Sequence, residues 1–159
     1  MIPLRASMRI GVISDTHGLL RLEAQRALQG VQLIIHAGDV GAPEILTQLK
    51  HIAPVFAVRG NVDRGPWAEE LPLTTVVEIS GCHFYVLHNL RELDLNPQVG
   101  EFDAVISGHT HQADQHEESG VLYLNPGSAG PRRFKLPVSA GILTIEGDCA
   151  EASLQTLVP

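Results

Sequence analysis

Only two cysteines occur in the 159 residues, Cys82 and Cys149, with neither CxxC spacing nor a wider framework. That excludes a disulfide scaffold and disfavours a purely structural zinc site, and it fits a reducing, cytoplasmic setting. No run approaches the roughly 20 apolar residues that a membrane span needs. The opening stretch Met1-Ile2-Pro3-Leu4-Arg5-Ala6-Ser7 lacks the apolar core of a signal peptide, and residues 1–7 read as a loose extension ahead of the first strand. Positive charge is scarce as well: 11 Lys and Arg stand against 18 Asp and Glu, a formal charge of −7. Such a surface repels nucleic acid at long range, which argues against a dedicated nucleic-acid-binding module. A phosphate substrate stays compatible, because bound cations would dominate their local field. No repeat, low-complexity tract or linker divides the chain, so residues 1–159 are expected to form one domain.

What is present is a turn-rich chain of 44% hydrophobic residues with 15 Gly and 10 Pro. Residues 8–14, 31–36 and 55–58 are short apolar runs that read as buried strands. Between them, Leu20, Ala24, Ala27 and Leu28 recur at helical spacing before Gly30, and Pro43 opens a second helix with Ile45, Leu46 and Leu49 on one face. This alternation implies a parallel sheet with right-handed crossovers. Past the loop 64–72 the pattern changes. Residues 74–79 and 82–87 flank Ser80-Gly81 as a hairpin, one short helix is expected within 90–102, and a strand within 104–107. Two further hairpins pair 113–117 with 121–124 and 138–145 with 149–157, the last turning at Gly147-Asp148. The expected fold class is therefore α/β (α+β): a four-layer αββα sandwich of two mixed β-sheets flanked by helices.

Five separated pieces carry the chemistry: Asp15-Thr16-His17, Gly38-Asp39, Gly60-Asn61-Val62-Asp63, His88, and Gly108-His109-Thr110-His111. Asp15, His17, Asp39, Asn61, His88, His109 and His111 offer oxygen and nitrogen donors in the number and type that two adjacent divalent cations require. Each piece follows a predicted strand, with steps of 24, 22, 27 and 21 residues from Asp15 through Asp39, Asn61 and His88 to His109. A strand, a helix and two loops make up about that length, so the chain is expected to return to one edge of its sheet each time. Asp15 and His17, like His109 and His111, are expected to sit on one side of a strand-like exit segment. Mixed Asp, Asn and His donors suit manganese, iron or zinc; the expected cofactors are two divalent ions, manganese first, with iron, zinc, nickel or cobalt as alternatives. Asp39, central in the set, is the natural carboxylate to bridge both ions.

These residues, from about 8 to 128 and including the turn Asn125-Pro126-Gly127-Ser128, resemble the calcineurin-like metallophosphoesterases, especially their small single-domain phosphodiesterase branch. The resemblance implies the same αββα sandwich. It also implies that Asp15, His17, Asp39 and His111 hold one metal while Asp39, Asn61, His88 and His109 hold the other. Two departures stand out. Asn89 follows His88 where the family often has Gly, and Val62 follows Asn61 where phosphatases of the superfamily carry a proton-donating His; the small phosphodiesterase branch lacks that His and keeps the Asp, here Asp63.

The expected activity is hydrolysis of a phosphoric diester by a hydroxide bridging the two metals, with Asn61, Asp63, His88 and His109 as the catalytic residues. The expected partner is a phosphate-ester small molecule or a nucleotide-like substrate, with no membrane; a homo-oligomer stays open. The rival readings are a non-catalytic protein-binding scaffold on the same fold, as in the small subunit of the retromer coat, and a phosphomonoesterase or protein phosphatase. The complete donor set opposes the first. Small size and Val62 oppose the second.

Several residues have plainer readings. His36 is expected to be a hydrogen-bonded core histidine, and His51, His83 and His116 surface ones. Asp63 either orients a histidine or closes an Asx-turn. Trp67 either lines the cleft or pins its loop to the core, and Arg132 and Arg133 either hold a second phosphate or are solvated. Loops 64–73, 89–100 and 129–137 are expected to border the cleft.

Overall fold

Three short apolar strands, β1 (Met8–Ile13), β2 (Leu33–His36) and β3 (Val55–Ala57), pair in parallel, with Ile10 beside Leu33 and Ile34 beside Val55. The computed structural model describes residues 7–147 and 149–159. The crossover helices α1 (Leu22–Ala27) and α2 (Pro43–Lys50) bury Ala24, Ile45 and Leu49. The chain then makes a four-residue helix α3 (Pro66–Glu69) and enters a second sheet. That sheet contains β4 (Thr74–Ile79), β5 (Cys82–Leu87), β6 (Ala104–Ile106), β7 (Asp114–Glu118) and β8 (Val121–Asn125). The last hairpin, β9 (Val138–Glu146) and β10 (Cys149–Val158), returns to the first sheet and lies antiparallel against β1. The result is two mixed five-stranded sheets, in the orders β10-β9-β1-β2-β3 and β4-β5-β6-β8-β7.

Strand periodicity decides which side chains meet. Ile10 and Val12 of β1, Leu33 and Ile35 of β2, Phe84 and Val86 of β5, and Ala104 and Ile106 of β6 face inward and form the core between the sheets. The alternate residues Ile13, Ile34 and Ile142 face outward under α1 and α2, where they meet Ala24, Leu28, Ile45 and Leu49. On the far face of the second sheet, Tyr85, Leu87 and Val105 pack beneath Leu93, Leu95 and Phe102. Burying each such side chain contributes roughly 1.5–3 kcal/mol, and the two-sided burial explains why these strands read as unbroken apolar runs.

The sandwich is as expected, with instructive differences. The layer over the second sheet is not a full helix but an irregular segment with one 3₁₀ turn, Leu90–Glu92. Asn96, Pro97 and Gly100 oppose a longer helix there. Strands β1, β3 and β6 stop one residue short of the predicted ends, because the next residues turn out of the sheet. The start of the expected extension, residues 1–6, and Asp148 of the expected last turn lie outside the described residues. No helix among those described is long and apolar enough to cross a membrane.

Candidate metal centre

The five pieces meet, but not at one edge of one sheet. Asp15, Asp39 and Asn61 follow β1, β2 and β3 of the first sheet, whereas His88 and His109 follow β5 and β6 of the second. The sandwich brings the carboxyl ends of both sets together. Main-chain hydrogen bonds lock the neighbouring loops: Asp15 N–H donates to Gly38 C=O and His17 N–H to Asp39 C=O (both 3.0 Å), and Gly108 N–H donates to His88 C=O (2.9 Å).

Nor are the exit segments strand-like. Asp15 (φ 56°), His17 (φ 46°), Asp39 (φ 55°), His109 (φ 73°) and His111 (φ 63°) all adopt left-handed backbone, which L-residues seldom do. Such conformations persist only where the surroundings over-determine them, and here they coincide with the candidate ligands. The glycines of two motifs permit the crowding. A Cβ on Gly60 would fall 2.1 Å from Asp39 N and Oδ1, and one on Gly108 would fall 1.9 Å from Ser14 Oγ.

Each carboxylate spends one oxygen on the protein and leaves the other facing imidazoles. Asp15 Oδ2 accepts from Ser14 Oγ–H (2.6 Å) and His109 N–H (3.0 Å). Its Oδ1, buried without an aligned hydrogen bond, lies 3.3 Å from His111 Nε2, 3.6 Å from His17 Nε2 and 4.0 Å from His88 Nε2. Asp39 Oδ1 accepts from Val62 N–H (3.1 Å), while Oδ2 lies 3.1 Å from His88 Nε2 and 3.7 Å from His17 Nε2. His88 Nδ1–H donates to Ala37 C=O (2.7 Å), which turns Nε2 toward the carboxylates, where it too lacks an aligned partner.

Two donor groups result, Asp15–His17–His111 and Asp39–His88–His109, the atoms of each lying within 4.8 Å of one another. His17 Nε2 and His111 Nε2 share a hydrogen bond (3.3 Å), while Asp15 Oδ1 and His88 Nε2 stay buried without one; oxygen and nitrogen donors converging in this way are what a divalent cation fits, so the residues present suit two ions. Electrostatics agree. Burial pushes the Asp15 carboxyl up, but His111, His17 and Ser14 outweigh it and hold it far below the usual carboxylate range. Burial likewise raises Asp39, and His88 with Val62 N–H reverses this to a net lowering. His17 is raised by its contact with Asp15. His88, penalised by burial, is still raised net by Asp39 and Asp15. Protons stand in for cations here, and a metal must displace them.

The other sequence-flagged residues separate clearly. Asn61 is exposed, between Gly60 and Val62, both of which adjoin Asp39. Asp63 neither orients a histidine nor closes a simple Asx-turn. Its two oxygens accept from Gly41 N–H (2.8 Å), Gly60 N–H (2.8 Å) and Val40 N–H (3.2 Å), bracing the two loops together. His36, fully buried, accepts Gly38 N–H at Nδ1 (3.1 Å) and reaches Thr16 Oγ1 from Nε2 (2.9 Å), a core histidine that burial pushes down to about 4. His51 and His116 are exposed; His83 is half-buried, 3.4 Å from Glu78. Trp67 packs with Leu71 against the helix-covered core. Arg132 bonds Pro159 C=O, whereas Arg133 lines a cleft with residues 89–91.

Sequence reasoning missed the supports: Ser14 on Asp15, Thr16 between His36 and Val40 C=O, and Ser128, whose hydroxyl donates to Asp15 C=O (3.0 Å). The turn containing Ser128 also matters through Asn125, whose Nδ2 donates to Gly108 C=O and Thr110 Oγ1 (both 3.0 Å). Hydroxyls flanking the donors were the available signal.

Residues 8–148 match the calcineurin-like phosphoesterase superfamily domain. A probable metallophosphoesterase of Methanothermobacter thermautotrophicus is 38% identical, over 92% of this chain and 91% of its own length. The phosphodiesterase MJ0936 of Methanocaldococcus jannaschii is 28% identical, over 87% of this chain and 94% of its own. Vacuolar Protein Sorting 29 from Cryptosporidium parvum shares the fold, with TM-score 0.76 at 20% identity, covering 96% of this chain and 99% of that one. With two groups of metal-type donors where the carboxyl ends of strands from both sheets meet, the chain belongs to the calcineurin-like phosphoesterase superfamily.

Proposed function

We propose that this chain is a two-metal phosphodiesterase acting on a small phosphate ester, with Asp15, His17 and His111 holding one ion, Asn61, His88 and His109 the other, and Asp39 shared. The observation that carries the reading is Asp39 Oδ2, which faces His88 of one donor group at 3.1 Å and His17 of the other at 3.7 Å. When bound, two such ions supply Lewis acidity to phosphate oxygens and a water acidic enough to attack at neutral pH. Manganese is the ion inferred, and the same oxygen and nitrogen donors also accept iron, zinc, nickel or cobalt.

The chain's own residues position and neutralise. The bond from His88 Nδ1–H to Ala37 C=O fixes that ring's donor nitrogen inward. Asn61, exposed at the mouth, can offer its carbonyl oxygen inward and its NH₂ to the phosphate. Val62 is 44% exposed and apolar, and so cannot protonate a leaving group. Asp63, engaged by three backbone N–H groups, braces the site rather than moving a proton.

Turnover should therefore depend steeply on leaving-group acidity. Purified protein with Mn²⁺, assayed on a series of aryl and alkyl methyl phosphodiesters, should hydrolyse aryl esters and lose at least about a hundredfold on alkyl esters, the usual worth of a general acid. A flat series would overturn the mechanism. A clear preference for aryl monoesters would favour a phosphomonoesterase, and the absence of any turnover a binding scaffold.

A further inference from the structure

Beside His109 the surface opens into a cleft of about 830 Å³, within the range that holds a nucleotide-sized ligand. Its lining includes Arg91 and Arg133, and neither guanidinium has a carboxylate within ion-pairing distance among the described residues. They place two positive charges in one cleft of a chain whose formal charge is −7. Among the described residues that line the cleft the one carboxylate is Asp114, which is engaged by His116 Nδ1 at 2.7 Å. His109, a member of one donor group, lines the same cleft, which ties the cleft to the donor groups.

The same cleft contains Phe134, 87% exposed, with a left-handed backbone (φ 54°) that a bulky side chain rarely adopts. No apolar cluster among the described residues takes up its ring. An aromatic face held in solvent beside two unpaired guanidiniums matches one ligand chemistry: a planar base and an anion that accepts forked hydrogen bonds.

We propose that this cleft receives the part of the substrate beyond the scissile phosphorus, and that the substrate is a nucleotide carrying a second phosphate. Arg91 and Arg133 hold that second phosphate, and Phe134 stacks on the base. The proposal rests on the phosphodiesterase reading of the adjoining site. It goes further by assigning a substrate class and three residues that select it.

Calorimetric titration of the Mn²⁺-loaded protein with thymidine 5′-monophosphate and thymidine 3′,5′-bisphosphate tests it without turnover. The wild type should bind the bisphosphate at least about tenfold more tightly, the worth of one or two charge-assisted hydrogen bonds. The doubly substituted Arg91→Ala, Arg133→Ala protein should lose that advantage. Phe134→Ala should weaken both nucleotides about fivefold or more, and inorganic phosphate less. All three side chains are exposed, and thermal melting of each variant checks the fold. Equal wild-type affinities, or an advantage that survives the double substitution, would overturn the proposal. Hydrolysis of bis(4-nitrophenyl) phosphate by the same preparations separates the two readings: its absence removes the phosphodiesterase, while the bisphosphate advantage alone decides the cleft.

Discussion

At the scale of the residue, the site depends on groups that do two jobs at once. Asp15 and Asp39 give one oxygen to backbone or hydroxyl donors and keep the other for the imidazoles. Asp63 gives both oxygens to backbone N–H groups, and this decides its role. In Asp63→Asn one acceptor becomes a donor, facing either Gly41 N–H or the pair Val40 N–H and Gly60 N–H. The cost should be about 1–3 kcal/mol of stability, read from the urea midpoint. Manganese affinity should fall about 10–100-fold, because the loops that aim Asp39 loosen. An Asn variant with wild-type stability and affinity would contradict this role. The six residues of the two donor groups were legible in the sequence because each belongs to a motif that follows an apolar run. The left-handed backbone of five of them, Asp15, His17, Asp39, His109 and His111, was not, since local sequence does not announce a strain that long-range contacts impose.

At the scale of the element, the strand ends are tied by a buried histidine. His36 closes β2 and links Gly38 to Thr16, whose hydroxyl donates to Val40 C=O (2.9 Å). Burial lowers the His36 pKa from 6.5 to about 4, so the unfolded chain takes its proton first as pH falls. Its contribution is therefore complete above pH 6.5 and is lost as pH drops toward 4, a change of about 3 kcal/mol. His17 and His88, raised in the metal-free protein, act in the opposite direction, adding stability below pH 6.5 that fades as pH rises through their folded values. Comparison with His36→Gln isolates the effect. The wild type's urea midpoint should fall more steeply than the variant's between pH 6.5 and 4, and parallel curves would contradict the assignment. Strand periodicity and hairpin turns gave most element positions from sequence. The layer over the second sheet was less legible, because Leu93, Leu95 and Phe102 cover it from irregular backbone without helical spacing.

At the scale of the whole molecule, the meeting of strand ends from both sheets makes the site. Even spacing suggested one sheet edge, yet the donors arrive from two sheets, and a step of about 20–27 residues cannot tell a crossover within a sheet from a passage between sheets. With both sheets contributing ligands, metal should bind only the assembled sandwich and stabilise it. At a hundredfold excess over Kd each ion adds about 2.7 kcal/mol, so chelation should lower Tm by about 10 °C or more. An unchanged melting curve would mean that the ions, if bound at all, do not join the sheets.

The most direct measurement is titration of the metal-free protein with Mn²⁺, scoring ions bound per chain for the wild type and for Asp39→Asn. Two ions per chain in the wild type and at most one in the variant are expected, because Asp39 Oδ2 faces both donor groups at 3.1 and 3.7 Å, nearer to the second group than Asp15 Oδ1 comes to His88 (4.0 Å). A wild type that binds fewer than two, or an Asp39→Asn protein that still binds two with unchanged affinity, would contradict the shared two-metal centre.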